Sequence, residues 1–299
     1  MDIVSVRTLD EITLKGLLIP SSNESDRVCL FIPGCCGNFV DNDFILTISK
    51  ILSNNNYNVL CANTRGSFMI NSSFHPLNTE RPKQIGTTFE KFEDSRYDIE
   101  AWIKYLENLG YKNIDLICHS SGCNKVIYYL NSKMEGIHNI NNLVLLSPPD
   151  FVNRIKCYED YKDLLVEAKN NVENGETNKL VKVHFFYKTS ISFLEMMASK
   201  NFDNMPLVNG TKEDFYQYSN IDKPITIIYG SLENFIKNYI YKLKEYSKNK
   251  DLFESYEIDG ADHIYFDRDK EVGEKIVESL NKRYKDIKVK KLIGEQNEI

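Results

Sequence analysis

The chain has 299 residues, 42% of them hydrophobic and 27% charged, which suits one large α/β domain with an insertion, or two small domains, and supplies a sizeable core. Its formal net charge is −6, and no dense Lys/Arg block precedes the stretch 282–291, so a nucleic-acid partner, which calls for a basic face, is not expected. No run of about 18 apolar residues is present, so no membrane span is expected; the seven cysteines, an odd number without a C-x-x-C pair, read as reduced thiols of a cytoplasmic protein.

In chain order, residues 3–9 and 12–19 read as two strands joined by a turn at Asp10-Glu11. Residues 27–33 (RVCLFIP) form a third strand, apolar enough to be buried on both faces. A helix follows over 43–53, then a buried strand over 57–62 (YNVLCA). The segment 67–89, with Pro76 and Pro82, reads as a long loop that should rim a site. In 94–109 the residues Ile99, Trp102, Ile103 and Leu106 fall at helical spacing, and Gly110 supplies the stop. A strand over 113–118 (NIDLIC) leads into a helix over 120–130, with Cys123, Val126, Ile127 and Leu130 on one face. Strands over 142–146, 224–229 (PITIIY) and 251–258 follow, with a helix after the second carrying Ile236, Tyr239, Ile240 and Leu243. A last helix over 267–280 aligns Val272, Ile276 and Leu280, and the basic residues beyond it read as a solvated terminal helix.

Such alternation predicts an α/β fold, a mostly parallel central sheet flanked by helices, with strand C-termini gathered along one edge where ligands bind. The expected division is a core of 1–149 and 221–283, a helical lid insertion over 150–220 that breaks the alternation, and a charged tail over 284–299. No disulfide, cofactor or metal is expected, since His75, His138 and His184 share no ligand spacing.

The chemistry concentrates at Leu116-Ile117-Cys118-His119-Ser120-Ser121-Gly122-Cys123-Asn124. A buried strand ends, a sharp turn holds Ser120, and a helix begins at once, the context in which a serine hydroxyl is lifted above a sheet edge. The N–H of Ser121 opens that helix and points to the same place.

Here the sequence resembles the α/β-hydrolase superfamily, whose elbow reads G-x-S-x-G and here stands as C-H-S-S-G, with Cys118 at the first glycine. The run H-S-S-G-C-N-K is similar to that of a group of bacterial and fungal α/β-hydrolases, and the resemblance spans about 28–280. It extends to three further places. Pro33-Gly34-Cys35-Cys36-Gly37-Asn38 takes the position of the family's H-G-x-x-G loop, Gly230-Ser231-Leu232-Glu233 that of its G-x-x-D, and Gly260-Ala261-Asp262-His263 that of its G-x-x-H. Asn63-Thr64-Arg65-Gly66 also resembles the family's D-x-R-G.

The resemblance implies Ser120 as nucleophile, His263 as general base and Glu233 as the supporting acid, in the family's chain order. It also implies backbone N–H groups of Cys35 and Ser121 as oxyanion donors. The implied reaction is hydrolysis of a carboxylic ester or thioester with an apolar acyl or alcohol portion, through an acyl-Ser120 intermediate. Acyl transfer, lactone opening, carbon–carbon cleavage and a purely binding role stay open as alternatives, as does a homodimer. Asp150, after the strand 142–146, is the alternative acid, and Asp262 a weaker one; His119 should point away from the site. In the insertion, Phe185, Phe186, Tyr187, Phe193, Met196, Met197 and Phe202 either line an acyl pocket or form the insertion's own core.

Overall fold

β1 (Asp2–Arg7) and β2 (Thr13–Ile19) pair antiparallel through a turn in which Glu11 takes φ 69°. The computed structural model describes residues 1–75 and 78–296. β3 (Val28–Ile32) is buried along its whole length and is followed by α1 (Asp43–Asn54) and by β4 (Asn58–Ala62), also wholly buried. Full burial is what helices on both faces demand of a strand, and these strands carry apolar side chains on both of their faces.

The expected loop over 67–89 contains a small antiparallel pair instead, β5 (Asn71–His75) with β6 (Asn78–Ile85). The Thr13 N–H donates to Ser73 Oγ at 2.8 Å, which ties this pair to the start of β2. Its flanks, Ser67–Met69 and Gly86–Glu90, run past Cys35 and Cys36; Pro76 lies outside the described residues.

The alternation then resumes with α2 (Ser95–Asn108), β7 (Ile114–His119), α3 (Ser121–Leu130) and β8 (Ile140–Leu146). Between β8 and the next sheet strand lie α4 (Phe151–Lys156), α5 (Tyr161–Glu173), the hairpin of β9 (Leu180–Val183) and β10 (Phe186–Thr189), α6 (Ser190–Ala198) and the short α7 (Tyr216–Ser219). This stretch is therefore not all helical. Val181 and Val183 alternate inward with exposed Leu180 and Lys182, and His184 at φ 55° closes a two-residue turn onto Phe186, the backbone that tight hairpins require.

β11 (Ile225–Gly230) follows. The single helix expected after it is two, α8 (Asn234–Lys237) and α9 (Ile240–Tyr246), because the chain leaves the helical path at Tyr239 (φ −125°) after Asn238, a residue whose side chain favours helix ends over helix interiors. β12 (Phe253–Ile258) completes the sheet, and α10 (Asp269–Gln296) runs on through most of the expected tail.

The sheet has the order β1-β2-β4-β3-β7-β8-β11-β12. From β4 to β12 every neighbouring pair is parallel, with β1 and β2 antiparallel at one edge. Side chains alternate across it with period two. Val28, Leu30 and Ile32 pack with Ile99, Trp102 and Ile103 of α2 and with Val126 of α3. Cys29 and Phe31 pack on the other face with Ile48 of α1 and Ile276 of α10. A third apolar cluster, including Val152, Ile155, Val183, Phe193 and Met196, belongs to the segment between β8 and β11. Arg65 joins the layers from within, bonding Asp98 of α2 and Asp10 of the β1–β2 turn at 2.8 Å each. The Asp10 carboxyl is held at about 2: burial works to raise it, and the bonds from Arg65 and Thr8 outweigh that. No helix among the described residues is long and apolar enough to cross a membrane.

Candidate active site

β3, β7, β8, β11 and β12 run parallel, so their C-terminal ends share one sheet edge. β7 reaches that edge at His119, and the next residue, Ser120, takes φ 53° and ψ −132° before α3 begins. A non-glycine residue with positive φ is uncommon, and such strain clusters at functional sites. The turn is fixed by the Ser120 N–H, which donates to the Leu146 carbonyl at 2.9 Å. It is also fixed by contact: a Cβ at Gly122 would meet the Ile32 and Pro33 carbonyl oxygens at 2.6 and 2.7 Å. Glycine is required there because α3 starts directly on the end of β3.

No such requirement holds at Cys118. Its backbone belongs to β7 and lies outside the left-handed region, its side chain is fully buried, and its Sγ points at the Val144 carbonyl at 3.4 Å. Cysteine therefore stands before His119 and Ser120 without strain. The variant Cys118→Gly is expected to lose about 1–2 kcal/mol of stability, from a lost buried side chain and a more flexible strand, while keeping its turn geometry. Denaturant unfolding beside an activity assay checks this; loss of activity in a folded Cys118→Gly protein would contradict it.

Three loops converge on Ser120. Gly260 to His263 follows β12, and His263 Nε2 lies 2.9 Å from Ser120 Oγ, placed to accept its proton. Glu233 follows β11, and its Oε1 lies 2.6 Å from His263 Nδ1. These two contacts assign the neutral imidazole its tautomer, with the proton on Nδ1. The close approach of the loops needs Gly230, whose Cβ would fall 2.2 Å from the Ala261 carbonyl oxygen. Glu233 is held in turn by the Gly230 N–H at 2.9 Å and the Ser147 hydroxyl at 2.5 Å, both donating to Oε2. Ser147 Oγ also lies 2.7 Å from the hydroxyl of Tyr265. Burial pushes the Glu233 carboxyl up, but the bond and charge of His263 and the Ser147 and Gly230 donors prevail, so it sits below its ordinary value.

His119 does not point away. Its Nε2–H donates to the His263 carbonyl oxygen at 2.8 Å, and its ring packs 5.0 Å from the His263 ring and 4.8 Å from Phe44. Burial and the neighbouring His263 hold His119 down at about 3, so it is neutral and acts as a fixed donor beneath the His263 backbone. Ser147 and Tyr265 complete this supporting layer. Nothing in their sequence spacing signals it, because each comes from a different strand end.

On the other side of Ser120 lies the loop after β3. A Cβ at Gly34 would fall 2.7 Å from the Ser120 Cβ, so this loop reaches the serine only as glycine. Next to it, the N–H groups of Cys35 and Ser121 have no acceptor among the described residues. Cys36 takes φ 58°, and its N–H is used by Thr87 Oγ1 at 2.8 Å. Two cavities flank the serine. The wider, of about 440 Å³, is lined by His263, Glu233, Leu232, Phe235, Ile236 and Arg154 among others. The narrower, of about 20 Å³, lies beside Cys35 and Ser121 between Phe92, Phe151, Phe186, Met196 and Phe202.

The alternative acids are used elsewhere. Asp150 caps α4 through Asn153 and accepts from the Val208 N–H at 3.0 Å. Asp262 accepts from the Ile264 and Phe266 N–H groups. Of the aromatic and methionine residues named in the insertion, Phe186, Met196 and Phe202 line the narrow cavity, Phe193 and Met197 pack in the third cluster, and Phe185 and Tyr187 are exposed. Among the described residues no group of three or more His, Cys, Asp or Glu side chains is arranged to hold a metal ion.

Residues 8–291 match a family model described as "Protein of unknown function (DUF1749)". No curated protein matches the chain significantly in sequence. Solved structures match it over nearly its whole length. Est1E from Butyrivibrio proteoclasticus, in a structure with ferulic acid bound, has a TM-score of 0.64 at 16% identity, covering 94% of this chain and 99% of that one. The Pyrococcus furiosus esterase Pf2001 has a TM-score of 0.59 at 17% identity, covering 95% and 90%. The α/β-hydrolase GrgF from Penicillium sp. sh18 has a TM-score of 0.64 at 12% identity, covering 94% and 98%. The fold is that of the α/β-hydrolases, a mostly parallel central sheet flanked by helices.

Proposed function

The chain belongs to the DUF1749 family, and within it we propose that this protein is a serine hydrolase cleaving a carboxylic ester or thioester through an acyl-Ser120 intermediate. The observation that carries the proposal is the unbroken line Ser120 Oγ, His263 Nε2, His263 Nδ1, Glu233 Oε1, with links of 2.9 and 2.6 Å. A serine hydroxyl is a poor nucleophile until a base takes its proton as it attacks. His263 takes that proton, and Glu233 keeps the imidazole in the productive tautomer and stabilises the cation that forms. The N–H groups of Cys35 and Ser121 receive the oxyanion; each such donor lowers the barrier by about 3 kcal/mol. His263 then protonates the departing alcohol or thiol and activates the water that releases the acid.

The same roles assign the two cavities. The leaving group sits on the His263 side, in the wide cavity with Leu232, Phe235 and Ile236, which suits an apolar alcohol. The acyl group sits beside Cys35 and Ser121 in the narrow one. Residues 150–220 act as a cap, supplying Phe151, Phe186, Met196 and Phe202 to the acyl wall. Solvent reaches His263, whose side chain is 35% exposed, and access of water favours hydrolysis over transfer of the acyl group to another acceptor. That the matching Pyrococcus furiosus protein Pf2001 is an esterase supports ester chemistry, although a shared fold hosts many reactions. Acid release from a panel of short-chain esters of apolar alcohols, followed by titration, tests the reading. Turnover of at least one ester is expected, and the absence of turnover across esters and thioesters would overturn it.

A further inference from the structure

The acyl side of the site contains a feature that simple ester hydrolysis does not use. Two lysines, Lys125 of α3 and Lys188 of β10, line the narrow cavity together with Glu90, Thr87, Cys35 and Ser121. Both are almost fully buried, Lys125 at 1% and Lys188 at 3% exposure. Lysines are rarely this buried without full pairing. Here two ammonium groups stand near one carboxylate, that of Glu90, which Lys125 bonds and Lys188 does not. Lys125 Nζ bonds Glu90 Oε1 at 2.6 Å and touches Thr64 Oγ1 at 3.5 Å. Lys188 Nζ donates to two carbonyl oxygens, those of Thr87 and Glu90, at 2.9 and 2.8 Å. An ammonium has three N–H donors, so each keeps one without an acceptor among the described residues.

The cluster is built, not incidental. A Cβ at Gly66 would lie 2.3 Å from a Glu90 carboxylate oxygen, so glycine there makes room for that carboxylate. Burial lowers Lys188 to about 8, with the Glu90 carboxylate opposing the shift, so at neutral pH it remains mostly charged. Cys35 and Cys36 also have shifted acidities near these lysines: Cys35 is pushed well up by its bond to Cys36 and by burial, and so stays neutral beside Cys36. The Cys35 thiol holds Cys36 at about 7, so Cys36 supplies only a partial negative charge at neutral pH. Against the Glu90 carboxylate and the partial charge of Cys36, the two ammonium groups leave an excess of positive charge among the described residues lining the cavity.

We propose that this cavity recognises an acyl group ending in a carboxylate, so that the preferred substrate is a half-ester of a short dicarboxylic acid. The proposal rests on the reading of Ser120 as the acylated residue, which places the acyl group here. Length follows from the helix. Lys125 stands four residues beyond Ser121, about 6 Å further along the same face of α3. The oxyanion donor and the cation are thus one helical turn apart. The cavity of about 20 Å³ is about the room that one water molecule needs, so only a short chain enters, with its carboxylate at the lysines. A carboxylate also gives both unused N–H groups an acceptor, and a charge-assisted bond is the strong kind.

The test compares monomethyl succinate with methyl butyrate, which share the alcohol and have acyl chains of similar size. On the Ser120→Ala protein, titration calorimetry should show monomethyl succinate binding at least about ten-fold more tightly, the effect of a hydrogen bond to a charged group. Adding Lys188→Met should bring the two ligands within about two-fold of each other. On the active protein the kcat/KM ratio should favour monomethyl succinate by a similar factor. Equal or reversed affinities on Ser120→Ala overturn the proposal, and this comparison stands even if Lys188→Met fails to fold. Discrimination in binding with no turnover of either ester would instead overturn the hydrolase reading and leave the carboxylate site in place. Turnover of both at equal rates, with equal binding, would do the reverse.

Discussion

Ser120→Ala, His263→Ala and the double variant are each expected to lower kcat for a cleaved ester by about 10⁵–10⁶, with the double variant no worse than either single one. The serine is useless without a base and the base has no other proton to take, so the 2.9 Å contact between them works as a unit. KM should move little, because both variants leave intact the leaving-group wall formed by Leu232, Phe235 and Ile236. Both single variants remove atoms without adding any, at a sheet edge held by the Ser120 N–H bond to Leu146 and by Gly122 against β3. They should therefore fold, and circular dichroism with thermal melting checks that. Losses that multiply in the double variant would mean that the two residues act independently and that the proposed proton transfer is wrong.

Glu233→Gln is expected to cost about 10³–10⁴ in kcat. The carboxylate accepts from three donors, His263 Nδ1, the Gly230 N–H and the Ser147 hydroxyl. An amide has one oxygen and an NH₂ group, so it turns a donor towards one of these and favours the wrong imidazole tautomer. The same substitution has a signature in stability. Burial raises the Glu233 carboxyl, but its partners outweigh that and place it below its ordinary value of 4.5. A carboxyl lowered in the folded state contributes stability that is fully present above the unfolded-state value and is lost as pH falls through the folded-state one. The melting temperature of the wild type should therefore exceed that of Glu233→Gln most at neutral pH, and the gap should close on acidification below about 4.5. A gap that is constant with pH would mean that the carboxylate is not held by these bonds. Unchanged activity in Glu233→Gln would move the acid's role elsewhere.

Much of the site was legible because its signals are local. The end of an apolar strand, a serine, a second small residue and Gly122 are consecutive, and the strain at Ser120 is written in that run. Glu233 and His263 each follow a recognisable strand by a few residues, so parallel order alone brings them to one edge. What stayed hidden depends on side-chain direction or on contacts distant in sequence. The sequence places His119 next to the nucleophile but does not show its partner: it sits at the strand's last residue, where the loop of His263 folds back over it. Lys188 comes from a hairpin whose period-two pattern, Val181 and Val183 between exposed Leu180 and Lys182, was readable but masked by the helical residues on either side. The pair β5 and β6 had no such pattern; its strands are polar, and it is anchored to β2 by single hydrogen bonds. The break at Asn238 and Tyr239 preserved the apolar stripe of Ile236 and Leu243, so spacing alone read through it.

The central claim is that Ser120 is an activated nucleophile. Its most direct test is reaction with a fluorophosphonate, read by intact-protein mass spectrometry on the wild type and on Ser120→Ala. A single adduct is expected on the wild type, blocked by prior incubation with a cleaved ester, and none on Ser120→Ala. An adduct that persists in Ser120→Ala, or no adduct on folded wild-type protein that reaches the reagent, would contradict it.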